Sequence, residues 1–280
     1  MKDKTRRDFI KLSGLTAAAS FVSLNPLKAS ITKLSKKSPL KLGLASYSLR
    51  KFDQAQTIAM TKRAGLDYIC FKSMHLPLDA SPEELKEGAA NVKAAGLDLY
   101  AGGVIYMKTK EEVDQAFEYA KNAGMSMIIG VPEYDLLNYT NDKIKQYDIQ
   151  VAIHNHGPGD RVYPSPDSVY EKIKDLDPRF GLCMDIGHTQ RIGIDPSEAA
   201  KKYFSRLFDI HIKDVTTATA EGEVTEIGRG VIDFPKFLKT LVEKNYTGVL
   251  SFEYEKDEDD PMPGLCESVG YVKGCLALIS

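Results

Sequence analysis

Hydrophobic positions along the chain fall into short, nearly unbroken runs separated by segments with helical spacing. The runs are LGLASYSL (42–49), LDYICF (66–71), LDLYAGGVIY (97–106), MSMIIGV (125–131), IQVAI (149–153), FGLCMDI (180–186), FDIHI (208–212) and GVLSFEY (248–254). Runs this short, without polar alternation, read as strands buried on both faces, the mark of a parallel sheet covered by helices. Between them, 81–96 and 109–124 open on Ser81 and Thr109 with acidic residues behind and close on Gly96 and Gly124, which are helix start and stop signals. Ser165, Asp195 and Asp233 open later helices, each with a proline in the first turn (Pro166, Pro196, Pro235), where the missing N–H costs nothing. Eight strands and about eight helices at this length predict a closed (β/α)8 barrel of the α/β class rather than an open doubly wound sheet. The helix expected near 139–148 is short. No Gly-x-Gly-x-x-Gly follows the first run, so the phosphate turn of a nucleotide-binding sheet is missing.

The N-terminus changes the picture of where the barrel begins. Thr5-Arg6-Arg7-Asp8-Phe9-Ile10-Lys11 followed by the small-residue apolar stretch 12–24 matches a twin-arginine export signal, and the stretch is too short for a transmembrane anchor. The expected organisation is an export signal over 1–30, a linker over 31–40 and one barrel domain over 41–280, with the product periplasmic or extracellular and without a stable membrane anchor. Residues 1–30 hold six basic and two acidic side chains, so a chain of net charge −2 becomes about −6 without them. That balance gives no electrostatic ground for a nucleic-acid partner. Four cysteines do not make a disulfide framework; Cys70 and Cys183 lie inside apolar runs and read as small buried hydrophobes.

The candidate chemistry lies where the runs end. All five histidines do: His75 after 66–71, His154 and His156 after 149–153, His188 after 180–186, and His211 within 208–212. Asp185, Asp214, Glu253 and Glu255 accompany them. In a barrel the C-terminal strand ends form the active face, and imidazoles with carboxylates gathered there suit a divalent metal or an acid–base pair. Strand alternation places His154 and His156 on one inward face with Ala152, and gives Asp209, His211 and Lys213 a shared parity. Glu253 and Glu255 share parity too, so alternation does not choose between them.

These residues carry a resemblance. His-Asn-His-Gly (154–157), Asp-Ile-Gly-His (185–188), His-Ile-Lys-Asp (211–214), Ile-Gly-Arg-Gly-Val-Ile-Asp (227–233) and Ser-Phe-Glu (251–253) occur in the order seen in the xylose isomerase-like sugar phosphate isomerase/epimerase superfamily, which the chain resembles along its length. The resemblance implies a divalent ion, manganese first, with cobalt, magnesium or zinc as alternatives, held by His154, Asp185, His211 and Glu253. Many relatives place Glu where this chain has His154. His156, His188 and Glu133 are then the candidates for proton transfer, and His75, Lys213 and Arg229 for substrate oxygens.

The chemistry implied is removal of a proton next to a sugar carbonyl. The outcome is epimerisation, isomerisation or β-elimination, the last including cleavage of 3-keto-glycosides. A carbohydrate is the expected small-molecule partner; the oligomeric state stays open. The competing reading is a non-catalytic sugar-binding barrel or a partner of an oxidoreductase. An endonuclease is disfavoured by the negative charge and by His154.

Overall fold

The computed structural model describes residues 38–279, so the predicted export signal, and the predicted linker as far as residue 37, lie outside the described residues. Seven strands follow in turn: β1 (Lys41–Ala45), β2 (Tyr68–Phe71), β3 (Asp98–Met107), β4 (Met127–Pro132), β5 (Gln150–His154), β6 (Phe180–Asp185) and β7 (Leu207–Ile212). A small antiparallel hairpin, β8 (Asp214–Val215) with β9 (Val224–Thr225), interrupts the pattern before β10 (Val249–Phe252). The eight long strands close in the order β1-β10-β7-β6-β5-β4-β3-β2, all parallel. The (β/α)8 barrel expected from the apolar runs is present.

The helices are α1 (Gln54–Arg63), α2 (Pro82–Ala94), α3 (Lys110–Asn122), α4 (Leu137–Tyr147), α5 (Pro166–Ile173), α6 (Ile186–Arg191), α7 (Pro196–Tyr203), α8 (Phe234–Glu243) and α9 (Met262–Ile279). Their starts are set as the sequence indicates. Ser81, Thr109, Ser165, Asp195 and Asp233 each accept a backbone N–H from the first turn, worth about 1 kcal/mol apiece. The helix expected to be short is three turns long, because a 3-10 turn at Tyr134–Leu136 leads into it and Asp148, in the left-handed region, stops it.

The first run departs from expectation. Strand β1 stops at Ala45, and Ser46–Leu49 is a 3-10 turn. Its serines explain this: Ser46 Oγ accepts the Lys72 N–H (2.7 Å) and Ser48 Oγ donates to the Phe252 carbonyl (3.1 Å), tying the turn to β2 and β10 across the mouth.

Alternation sorts the side chains into two cores. Val151, Ile153, Leu182, Met184 and Ile210 pack outward under the helices, whereas Cys70, Ala152, Cys183 and Ile129 fill the barrel. Halfway up, the interior turns polar. Tyr100 Oη donates to Asp209 Oδ1 (2.9 Å) and lies 2.5 Å from Ser251 Oγ, and Cys183 Sγ donates to Asp209 Oδ2 (3.3 Å). Burial raises the Asp209 carboxyl above its ordinary range, against the lowering influence of His211. The layer above it is the site.

Candidate metal centre

Four strand ends converge on one point. His154 closes β5, Asp185 closes β6, His211 lies in β7, and Glu253 follows β10. One ligand atom from each lies within 4.8 Å of all the others, and all four residues are buried. His154 Nε2 is 3.5 Å from Asp185 Oδ2 and 3.9 Å from Glu253 Oε2, and His211 Nδ1 is 3.2 Å from the same Glu253 oxygen. Neither ring makes a hydrogen bond through either nitrogen, and Asp185 Oδ2 makes none either. Buried polar atoms of native proteins almost always have partners, so four imidazole nitrogens without a hydrogen bond around one centre call for a ligand, whereas Asp185 Oδ2 has the Lys213 ammonium at 3.0 Å. A mixed imidazole–carboxylate set suits a divalent first-row ion. The residues present fit the metal that the motifs imply.

Electrostatics prepare the set for a cation. Burial, with His211 and His156 close by, pushes the His154 imidazole down to about 3, so it is neutral and presents a lone pair at neutral pH. Burial would raise the Asp185 and Glu253 carboxyls; His188 and Lys213 overcome it at Asp185, and Lys213 and His211 do so at Glu253, keeping both ionised. At His211 burial is outweighed by the Glu253 carboxylate, which raises the imidazole. Lys213 Nζ lies 3.0 Å from Asp185 Oδ2 and 2.8 Å from Glu253 Oε2 and also pairs with Glu255. It is buried, and Gly187 is what admits it: a Cβ there would sit 2.3 Å from Lys213 Cγ.

Positions within the set are held from behind. Asn155, between the two histidines of β5, accepts the Asp185 N–H (3.1 Å) and donates to the Asp185 carbonyl (3.4 Å), so one side chain locks β5 to β6. Asp185 also caps α6, its Oδ1 accepting the His188 N–H at 2.8 Å. One carboxylate oxygen is thus spent on the fold and the other is left for the centre.

Comparison with known proteins identifies the family of this barrel. A family model described as "Xylose isomerase-like TIM barrel" matches residues 58–275. The chain belongs to this family. Within the xylose isomerase-like family, an inosose dehydratase of Clostridium botulinum is 28% identical over 163 residues, covering 50% of this chain and 54% of that protein. The chain thus matches about half the length of such relatives. An uncharacterised Parabacteroides distasonis protein of known structure is 26% identical with a TM-score of 0.68, covering 85% of this chain and 99% of that one. A 3-keto-D-glucoside 4-epimerase of Escherichia coli shares the fold at a TM-score of 0.68 and 15% identity, covering 84% and 100%.

In this xylose isomerase-like barrel His154 and Glu253 of the group line a cavity of about 240 Å3, together with His156, His188, Lys213 and Glu255, while Asp185 and His211 lie behind them, within 4.8 Å of both. A cavity of about 350 Å3 lies at the opposite end, around Lys41, Asp98, Gln150 and Thr247; the imidazoles make the mouth the reactive end. His156 stands at the rim with Nδ1 3.4 Å from Asp160 Oδ2 and Nε2 2.9 Å from Tyr106 Oη, its ring stacked on the tyrosine at 5.6 Å. His188 Nε2 is 4.0 Å from Asp185 Oδ2. Burial lowers both imidazoles, against the Asp160 carboxylate at His156 and the Asp185 carboxylate at His188. Between Glu253 and Glu255, Glu253 joins the ligand set and Glu255 faces only Lys213.

Three predicted site residues lie elsewhere. His75 is buried with Nδ1 2.8 Å from Ser46 Oγ and Nε2 3.2 and 3.1 Å from the Leu49 and Phe52 carbonyls. Both nitrogens are spent on holding the β1 turn, so it pins the rim and does not reach substrate. His75→Ala is expected to cost about 2–4 kcal/mol by stranding those partners and leaving a void, read as a lower urea midpoint, with Mn2+ affinity unchanged. Arg229 forms a two-pronged pair with Glu267 (2.6 and 2.7 Å) on the exposed surface, which pins the loop before α8. Glu133 is half-buried and outside the cavity lining; its charge faces Tyr134 and Tyr163.

The sequence reading passed over Tyr106, Lys72, Tyr47 and Val104, which complete the cavity wall. Tyr106 ends an apolar run without any accompanying polar motif, so only the closure of the barrel brings it to His156.

Proposed function

We propose that the protein is a divalent-metal-dependent enzyme acting on ketosugars or keto-cyclitols by removing a proton next to the carbonyl. The observation carrying this reading is that the buried four-residue group, whose four imidazole nitrogens make no hydrogen bond, reaches through His154 and Glu253 into a cavity walled by two further imidazoles, His156 and His188. The inosose dehydratase and 3-keto-D-glucoside epimerase relatives support it, since both names describe substrates with a carbonyl on a polyhydroxylated ring.

When bound, the ion polarises the carbonyl oxygen and makes the adjacent C–H acidic enough for a weak base. The remaining work belongs to the chain. His156 Nε2, with the Asp160 carboxylate 3.4 Å from Nδ1 to stabilise the imidazolium, takes the proton as Tyr106 Oη is displaced by substrate. His188, on the first turn of α6, faces the cavity from across β5 and can return a proton or protonate a departing oxygen. Lys213 binds a substrate oxygen while neutralising Glu253 and Glu255.

Two imidazoles serve elimination, one taking the carbon proton and one protonating the leaving oxygen, and they serve epimerisation equally, with a proton removed on one face and returned on the other. The test incubates the Mn2+-loaded protein in deuterium oxide with an inosose and, separately, with a 3-keto-glucoside. Deuterium uptake at the carbon next to the carbonyl, followed by loss of water or of the aglycone, is the expected result. Metal binding without exchange on either compound would point instead to a sugar-binding barrel.

A further inference from the structure

We propose that the barrel contains a second cation position beneath the first, formed by Cys183 with His154 and His211, which takes a soft ion such as Cd2+, Cu+ or Zn2+. One donor atom from each of these three residues lies within 4.8 Å of the other two, and all three are buried. Cys183 alone would be an ordinary buried thiol; what points to a ligand is that both nitrogens of both rings are unpartnered in a site with 2% and 1% exposure.

The two nitrogens of His211 face different layers. His211 presents Nδ1 to Glu253 at the mouth (3.2 Å), whereas Nε2 lies 3.5 Å from Asp209 Oδ2 in the polar layer below. Cys183 Sγ is 3.3 Å from that same Asp209 oxygen. His154 turns Nε2 toward Asp185 and Glu253 and leaves Nδ1 with no partner. The rings therefore form a shared wall, with the Asp185 and Glu253 carboxylates above and the Cys183 thiol, beside Asp209, below.

Ligand softness decides which layer an ion takes. Mn2+ or Mg2+ is drawn to the carboxylates of Asp185 and Glu253, while Cd2+, Cu+ and, in part, Zn2+ gain more from sulfur. Binding below forms a sulfur–metal bond and breaks the S–H bond of Cys183. The proton passes to Asp209 Oδ2, which that S–H already faces. A neutral imidazole offers one lone pair, and coordination below leaves the N–H on the nitrogen that faces the mouth, so a soft ion there takes two imidazole ligands from the upper centre. The structure thus carries a built-in route to inhibition by thiophilic metals.

The experiment uses the full chain after chelator treatment and titrates it with Cd2+ and with Mn2+, following ultraviolet absorption and heat. Cys266 and Cys275, the thiols on α9, are removed by Cys266→Ser/Cys275→Ser so that surface thiolates do not contribute. In that background Cd2+ should produce a thiolate-to-metal charge-transfer band. Adding Cys183→Ser, or Cys183→Ala should the serine variant fail to fold, should abolish the band and weaken Cd2+ binding by about tenfold or more. Mn2+ affinity should stay within about twofold, because the upper ligands are intact. Absence of the band in the folded Cys266→Ser/Cys275→Ser protein overturns the proposal. So does its persistence after Cys183 is replaced, which would assign it to Cys70.

Discussion

His156→Gln is expected to lower turnover by about 10²–10⁴-fold, the range associated with loss of a general base, while Mn2+ affinity changes little. Glutamine keeps the size of the side chain and an amide that can still meet Tyr106 or Asp160, so the loss reports proton transfer rather than collapse of the rim. The imidazole stands at the cavity wall outside the four-ligand set, with its acceptor nitrogen reached by Tyr106 Oη at 2.9 Å. The pH profile supplies an independent check. Burial lowers the His156 imidazole below its ordinary value, against the raising influence of Asp160. The basic form is present above the folded pKa and lost below it, so the acid limb of kcat should fall below about 6.5 and activity should be level through neutrality. If His156→Gln retains turnover while His188→Gln loses it, the two imidazoles exchange roles.

Asp185→Asn should abolish tight metal binding, with Mn2+ affinity falling by more than about 100-fold. Removing merely an outer-shell partner costs about 10–100-fold, and Asp185 is proposed as a direct ligand. Asparagine is a helix N-cap as good as aspartate, so Oδ1 can keep accepting the His188 N–H, and the Asn155 bonds to the backbone of residue 185 are untouched. Lys213 retains Glu253 and Glu255 as counter-charges. The variant should therefore fold, and calorimetric titration with Mn2+ separates loss of the ligand from loss of the barrel. Wild-type-like affinity in a folded Asp185→Asn protein would remove this residue from the centre, and with it the metal reading of the site.

The convergence of His154, Asp185, His211 and Glu253 was legible because each lies at or near the end of an apolar run, and the barrel brings those ends together. Parity alone could not separate Glu253 from Glu255; the structure does so through the 3.2 Å approach of Glu253 to His211. His75 shows the limit of the same rule. It also follows an apolar run, yet the loop after β2 folds back under the β1 turn and both ring nitrogens are consumed there. Arg229 has the glycine-flanked setting of an anion-binding arginine, but Glu267, 38 residues later on α9, claims its guanidinium. Such partners are distant in sequence, and no local pattern announces them.

By itself the sequence determined the alternation of buried strands and capped helices, hence the barrel, because strand burial, helix caps and proline positions act over a few neighbouring residues. It also determined which residue types reach the mouth, since inward parity follows from backbone geometry. Only the tertiary structure decided which of those residues meet. Pairing β10 with β7 brings Glu253 beside His211, and the β3-β4-β5 pairing sets Tyr106 on His156. Those are contacts between strands tens of residues apart, fixed by register and packing of the closed barrel rather than by any preference of the local chain.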